Sequence, residues 1–172
     1  MPNDLLALIE RVEKATGPDR DLDAAVFVAV TGAATWSYDD NCHIDALIKS
    51  GAYRGDKQLH PDYAPNPRVT WRYRIGDADY GEVPSLSASV DAALALLERV
   101  LPGAFWHMAK GKLRAGEPLY AFQLLFGADE VIGEAEHNDL CLAIIAATLR
   151  AMHQEIGPRN RKSRAMQSQE NE

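Results

Sequence analysis

The chain has 172 residues, 47% hydrophobic and 25% charged, which suits one domain with a real core and excludes wholesale disorder. Its net charge is −7; Arg159, Arg161, Lys162 and Arg164 against Glu170 and Glu172 leave the tail at +2, so about −9 falls on the body by subtraction. An acidic body repels nucleic-acid phosphates and anionic membrane, so nucleic acid is expected to make only weak contacts with the tail.

The elements follow in chain order. Asn3 or Asp4 can cap a first helix with Leu5, Leu8, Ile9 and Val12 on one face, stopped at Thr16-Gly17-Pro18. Asp19 or Asp21 caps a second, with a stripe of Leu22, Ala25, Val26, Ala29 and Val30 ending at Thr31-Gly32. Between 33 and 68 the periodicity dissolves, apart from a weak helix near 43–50, so the segment reads as an irregular insertion. Val69, Trp71, Tyr73 and Ile75 then alternate with Thr70, Arg72 and Arg74, a half-buried strand. Residues 76–83 read as a turn. Ser87 or Ser89 begins a helix whose stripe is Val90, Ala93, Leu94, Leu97 and Leu101, closed by Pro102-Gly103.

Two strands, 104–113 and 119–126, are joined by a hairpin-length connection and should pair antiparallel. The second has Tyr120, Phe122, Leu124 and Phe126 on one face and Leu119, Ala121 and Leu125 on the other, which calls for helices on both sides. A final helix, capped by Asn138 and broadly apolar through Leu142, Ile145, Leu149 and Met152, runs to about Ile156. Residues 157–172 read as a disordered basic and polar tail. The expectation is one α/β (α+β) domain over 1–156: a three-layer α-β-α sandwich with a small antiparallel or mixed sheet between helices. Cys42 and Cys141 are the only cysteines, no secretory pattern is visible and no apolar run reaches the roughly 20 residues of a membrane span, so free thiols in a reducing cytoplasm are expected, with no membrane partner.

Candidate chemistry is thin. Asp39, Asp40, Cys42, His43 and Asp45 form the densest group of ligand types, and Cys42 and His43 can contribute to a zinc site with His60. CxxC, HExxH and calcium-loop spacings are absent, so the group reads as a solvated acidic loop, with no metal or cofactor expected. His107 in a strand, and His137 beside Glu134, Glu136 and Asp139, offer general-base pairs without a nucleophile motif. Gly76 to Gly81 lacks P-loop and dinucleotide registers. Ser87 and Ser89 at a helix start are accounted for by capping. The supply of amphipathic rings is unusual. Trp36, Tyr38 and Tyr53 stand among polar residues with His43 and His60, while Trp71, Tyr73 and Trp106 read first as core and second as binding surface.

The order of LLALIERVEKATGPDRDLDAAV, the SLSASVDAALALLERVLP helix, the FW strand start and the NDLCLAIIAATLRAM helix resembles the small phage and prophage proteins with the phage α-β-α sandwich domain. Ser89, Asp91, Ala92 and Ala93, then Trp106, then residues 142–149 match that pattern. The resemblance implies the sandwich fold and a bacterial or phage-infected cytoplasm, and brings no catalytic residues. The function expected is therefore a phage-type accessory protein, non-catalytic, that binds a host protein or small-molecule ligand through 33–68 and the adjoining sheet edge. Trp36, Tyr38, His43, Tyr53, His60, Trp71, Tyr73 and Trp106 are its candidate contacts. Two alternatives stand beside it: a small metal-dependent or His/carboxylate hydrolase using His43, His60 or His107, and a self-associating structural protein.

Overall fold

Helix α5 (Leu140–Ile156) is the element around which one half of the molecule is built. The structure, a computed structural model, describes residues 2–39, 41–64, 68–77, 79–112, 116–126 and 130–156. Among the described residues, five α-helices and two three-stranded antiparallel sheets give a mixed α+β fold in which helix and sheet stack in sandwich fashion. The described chain divides into two units: residues up to Val26 together with those from Pro84 onward, and Phe27–Val83. The tail reading for 157–172 lies outside the described residues.

In the first unit, α1 (Pro2–Lys14) buries Leu5, Leu8, Ile9 and Val12, the expected stripe. Asp19 Oδ1 accepts the Asp21 and Leu22 N–H groups at 2.8 and 3.0 Å and so starts α2 (Arg20–Thr31). Ser89 caps α4 (Val90–Val100), accepting the Ala92 N–H at 3.2 Å. The sheet is β4 (Phe105–Lys112), β5 (Pro118–Phe126) and β6 (Glu130–His137), in that order. Helix α5 packs against β6 and β5 on one side and against α1 and α4 on the other, so Cys141 through Leu149 are all buried. Each large apolar side chain buried there contributes about 1.5–3 kcal/mol.

Several sequence expectations change. Helix α5 is capped by Asp139 rather than Asn138: its Oδ1 accepts the Cys141 and Leu142 N–H groups at 2.8 and 3.3 Å. In α2 the stripe turns toward Asp23 and Phe27, which are buried, while Ala29 is exposed. Asp23 is drawn inward because its carboxylate accepts the Ser87 N–H at 2.7 Å and the Arg20 guanidinium at 2.9 Å. The turn read over 76–83 contains β3 (Asp79–Glu82), and β6 arises where no strand was foreseen. Cover on both faces of β5 is not what forms: Phe122 and Leu124 are buried toward α5, whereas Gln123 and its neighbours Glu134 and Glu136 on the opposite face are exposed.

Strand β6 has a specific reason for its small residues. A Cβ added at Gly133 would fall onto the Ala147 carbonyl oxygen and within 3.0 Å of the Ala151 Cβ and backbone nitrogen. The backbones of α5 and β6 therefore meet where only glycine fits.

The second unit holds β1 (Ala34–Asp39), β2 (Val69–Ile75) and β3, with β2 central and both neighbours antiparallel to it. Helix α3 (Cys42–Lys49) and a 3₁₀ turn (Lys57–Leu59) fill the segment between β1 and β2. Phe27 packs on Tyr73, ring centroids 4.7 Å apart, so β2 turns its aromatic face inward.

Gly133→Ala is expected to lower the unfolding free energy by roughly 2–3 kcal/mol, the upper part of the overpacking range. Gly111→Ala, where the nearest atom to the added Cβ is 3.9 Å away, should change little by comparison. Urea denaturation of the two variants checks this. Equal stability of the Gly133 variant and the parent would mean that α5 does not lie this close to β6.

Candidate functional site

The segment between β1 and β2 is ordered by one buried side chain. Asn41 stands at the N-cap position of α3, yet its side chain makes no cap hydrogen bond. Instead its Nδ2 donates to the Ala64 carbonyl and its Oδ1 accepts the Ala64 N–H, both at 2.9 Å, with the residue only 2% exposed. Its own N–H donates to Asp39 Oδ1 at 2.9 Å, so the end of β1, the start of α3 and residue 64 share one junction. A second tie lies farther along: Lys57 Nζ is 2.7 Å from Asp45 Oδ1. That carboxylate holds the Lys57 ammonium above its ordinary pKa against the opposing effect of desolvation. Ile44 anchors α3 from beneath, fully buried.

Between these ties lie His43, His60 and Asp62. One ligand atom from each falls within 4.8 Å of the other two. His43 Nε2 is 3.8 Å and His60 Nδ1 is 3.9 Å from the same oxygen, Asp62 Oδ2. The Asp62 N–H donates to His60 Nδ1 at 3.2 Å. Tyr53 sets the His60 ring: it meets the imidazole edge-on with centroids 5.0 Å apart, and its hydroxyl donates to the Asp56 carbonyl at 3.0 Å. Its ring lies directly over Gly55, where a Cβ would strike the phenol carbons. Side-chain exposure is 15% for His60 and 70% for Asp62, so the cluster is anchored on one side and open on the other. Two imidazoles and a carboxylate are a donor set suited to zinc and its late first-row neighbours. The free Cys42 thiol is exposed beside His43 and is not among the three.

The sheet of the same unit presents a second feature. Its register places Ala34, Arg74 and Tyr80 side by side, then Trp36, Arg72 and Glu82, then Tyr38 and Thr70, all on one face. Trp36 is 46% and Tyr80 71% exposed, and Arg72 and Arg74 are exposed too. The Arg72 guanidinium lies 5.5 Å from the Tyr38 ring centroid. Arg74 is held by the Gly76 carbonyl and by Asp77, at 2.8 and 2.7 Å. Trp71 and Tyr73 point to the opposite face, where Tyr73 meets Phe27 and its ring lies close over Gly81, 3.2 Å from where a Cβ would sit.

The remaining candidates separate. Trp106, read first as core, is half exposed on β4, its ring stacked on Phe122 with centroids 5.6 Å apart. His107 is exposed opposite Gln123. His137 is buried with both nitrogens engaged: Nδ1 accepts the Asp139 N–H at 2.9 Å, which assigns the proton to Nε2, 3.0 Å from the Ala15 carbonyl. Ser87, a possible cap, instead accepts the Asp19 N–H at 2.9 Å. Burial, with the Asp139 carboxylate adding to it, pushes the Cys141 thiol up, as suits an inert interior cysteine. Asp40 lies outside the described residues. Asp62 was not singled out in the sequence; only the turn after the 3₁₀ helix brings it between the two histidines.

Asn41→Ala is expected to leave the Ala64 N–H and carbonyl without their partners and to cost about 1–3 kcal/mol. Hydrogen exchange should show the Ala64 amide losing protection, while the α5 amides keep theirs. Unchanged protection at Ala64 would remove Asn41 from its role as the junction. Among the described residues, no helix is long and apolar enough to cross a membrane. Comparison with family models, with characterised proteins and with solved structures gives no match.

Proposed function

We propose that this chain is a phage-type accessory protein that works by binding, without catalysis, and that it holds a host protein on the open face of β1, β2 and β3. The row of Trp36, Tyr38, Arg72, Arg74 and Tyr80 carries this reading. Tryptophan, tyrosine and arginine are the residue types that dominate binding energy in interfaces, since they offer large contact area and directed polar groups. Two of the cations are already held in place, Arg72 over Tyr38 and Arg74 by Asp77, so less side-chain freedom is lost on docking. The face is a sheet surface, whereas small-molecule sites are concave, which favours a protein over a small ligand. Exposed guanidinium groups suit an acidic patch on that partner. The phage assignment rests on the resemblance of the α4 and α5 segments.

The test compares capture from host lysate by the immobilised full-length chain and by a Trp36→Ala/Arg72→Ala/Tyr80→Ala variant, with circular dichroism confirming that both are folded. A partner held by the parent should fall at least about tenfold with the variant, as expected when several interface anchors are truncated together. Equal capture of every partner by the two proteins would refute the assignment.

A second reading, self-association, is favoured by β4. It is an edge strand whose eight residues are all exposed, among them Phe105 at 65%, with Trp106 and Met108 half exposed. The other edge is guarded: on β6 the Arg150 guanidinium donates to the Glu134 carbonyl and also meets Glu13 at 2.6 Å. An exposed apolar edge invites another strand. A two-fold antiparallel pairing centred on Met108 sets Trp106 of one copy opposite Lys110 of the other, and Phe105 opposite Gly111. On this reading, sedimentation should show the parent shifting from monomer to dimer with concentration while Met108→Lys stays monomeric. A parent that remains monomeric ends it.

A further inference from the structure

We propose that His43, His60 and Asp62 form a binding site for a zinc-class divalent cation, with one coordination position left to water or to an incoming donor atom. The site is independent of the aromatic face assigned above.

The donor set comes first. Two imidazole nitrogens and one carboxylate oxygen suit zinc, cobalt or nickel, whereas magnesium and calcium take oxygen ligands. Distances come next. Zinc–nitrogen and zinc–oxygen bonds of about 2.0–2.1 Å around a tetrahedron set donor atoms about 3.3 Å apart. His43 Nε2 and His60 Nδ1 stand 3.8 and 3.9 Å from Asp62 Oδ2, so these two pairs need to close by about half an ångström, and the ligand nitrogens of the two rings, within 4.8 Å of each other, by at most about 1.5 Å. Side-chain rotation supplies that movement, because His43 and Asp62 are exposed. At His60 Nδ1 the cation replaces the 3.2 Å hydrogen bond from the Asp62 N–H, a group that is exposed and can turn to solvent.

The framework is what separates this cluster from a chance meeting of surface groups. His43 lies on α3 between Asn41 and Asp45; His60 and Asp62 lie between Lys57 and Ala64. Asn41 binds Ala64 through two hydrogen bonds and Asp45 binds Lys57 through an ion pair, so the two ligand-bearing segments are fastened on both sides of the ligands. Tyr53 fixes the His60 ring from a third direction. Ligands held this way lose less freedom on binding. The cation would act as a clip across α3 and the 60–63 turn, and its binding to the folded state alone would raise stability.

The experiment titrates the metal-stripped full-length chain with zinc chloride alone, by calorimetry and thermal melting, and repeats it with cobalt(II) for its visible spectrum. The expected result is one zinc per chain, a higher melting temperature, and the intense bands of low-coordinate cobalt. Asp62→Asn keeps the side-chain shape, and His43→Ala removes one exposed ring. Each should weaken binding by more than the roughly 10–100-fold typical of losing an outer-sphere partner and should remove the cobalt bands. His107→Ala, His153→Ala and the Trp36/Arg72/Tyr80 variant should bind as the parent does. Absence of stoichiometric binding, or binding that survives both Asp62→Asn and His43→Ala, overturns the proposal. Loss of partner capture with zinc binding intact would bear only on the aromatic face.

Discussion

The close approach of α5 to β6 at Gly133 is the constraint on which the first unit depends. A helix whose backbone lies this near a strand must carry small residues where they meet, and Ala143, Ala146, Ala147 and Ala151 are all buried in α5. The rest of the α5 surface is then free to take α1 and α4, which is why a single helix is buried nearly all round. The same approach leaves the sheet one-sided. Helix α5 reaches β6 and β5, and β4 is left as a projecting edge whose aromatic residues stack on their own sheet, Trp106 on Phe122, rather than under a helix. One tight contact thus produces both the core and the exposed edge.

Polar groups that resemble chemistry in the sequence are engaged in holding this unit together. His137 joins the start of α5 to the end of α1 through the Asp139 N–H and the Ala15 carbonyl. Asp23 and Ser87 cross-connect the α2 start and the 85–87 segment, each meeting a backbone group of the other strand of chain. A buried carboxylate with two charged or backbone donors is stable because its oxygens are satisfied, and removing a donor would leave a charge stranded. A general base needs a nitrogen or oxygen within reach of a substrate proton. Both nitrogens of His137 already face the chain's own backbone.

The helices were legible because their stripes follow the 3.6-residue period: Leu5, Leu8, Ile9 and Val12, or Leu142, Ile145 and Leu149, need no tertiary information. Strand β2 was legible for the same reason at period two. Strand β6 was not, because Gly133 and Ala135 are chosen for fit against α5 and carry little strand preference. Strand β1 was missed for an opposite reason: Trp36 and Tyr38 alternate correctly but face outward, so burial logic finds no core for them. At Asn41 a residue suited to capping a helix binds Ala64 instead, and that switch brings together His43, His60 and Asp62, which have no recognisable spacing. Local pattern reaches the scaffold, while the candidate site is assembled by long-range ties.

Exposure favours the proposed binding use of the His43–His60–Asp62 cluster over a hydrolytic one. Transition-state stabilisation by fixed charges is strong where water is excluded, because the effective dielectric there is low. Asp62 is 70% and His43 49% exposed in their side chains, so a charge developing beside them is screened by bulk solvent. Coordination tolerates that environment far better, since metal–ligand bonds are short-range and survive an open side. The aromatic face of the same unit is equally open, and its residues are those that contribute most when a partner surface expels the water around them. On the proposed reading, both features become effective on meeting a ligand or partner.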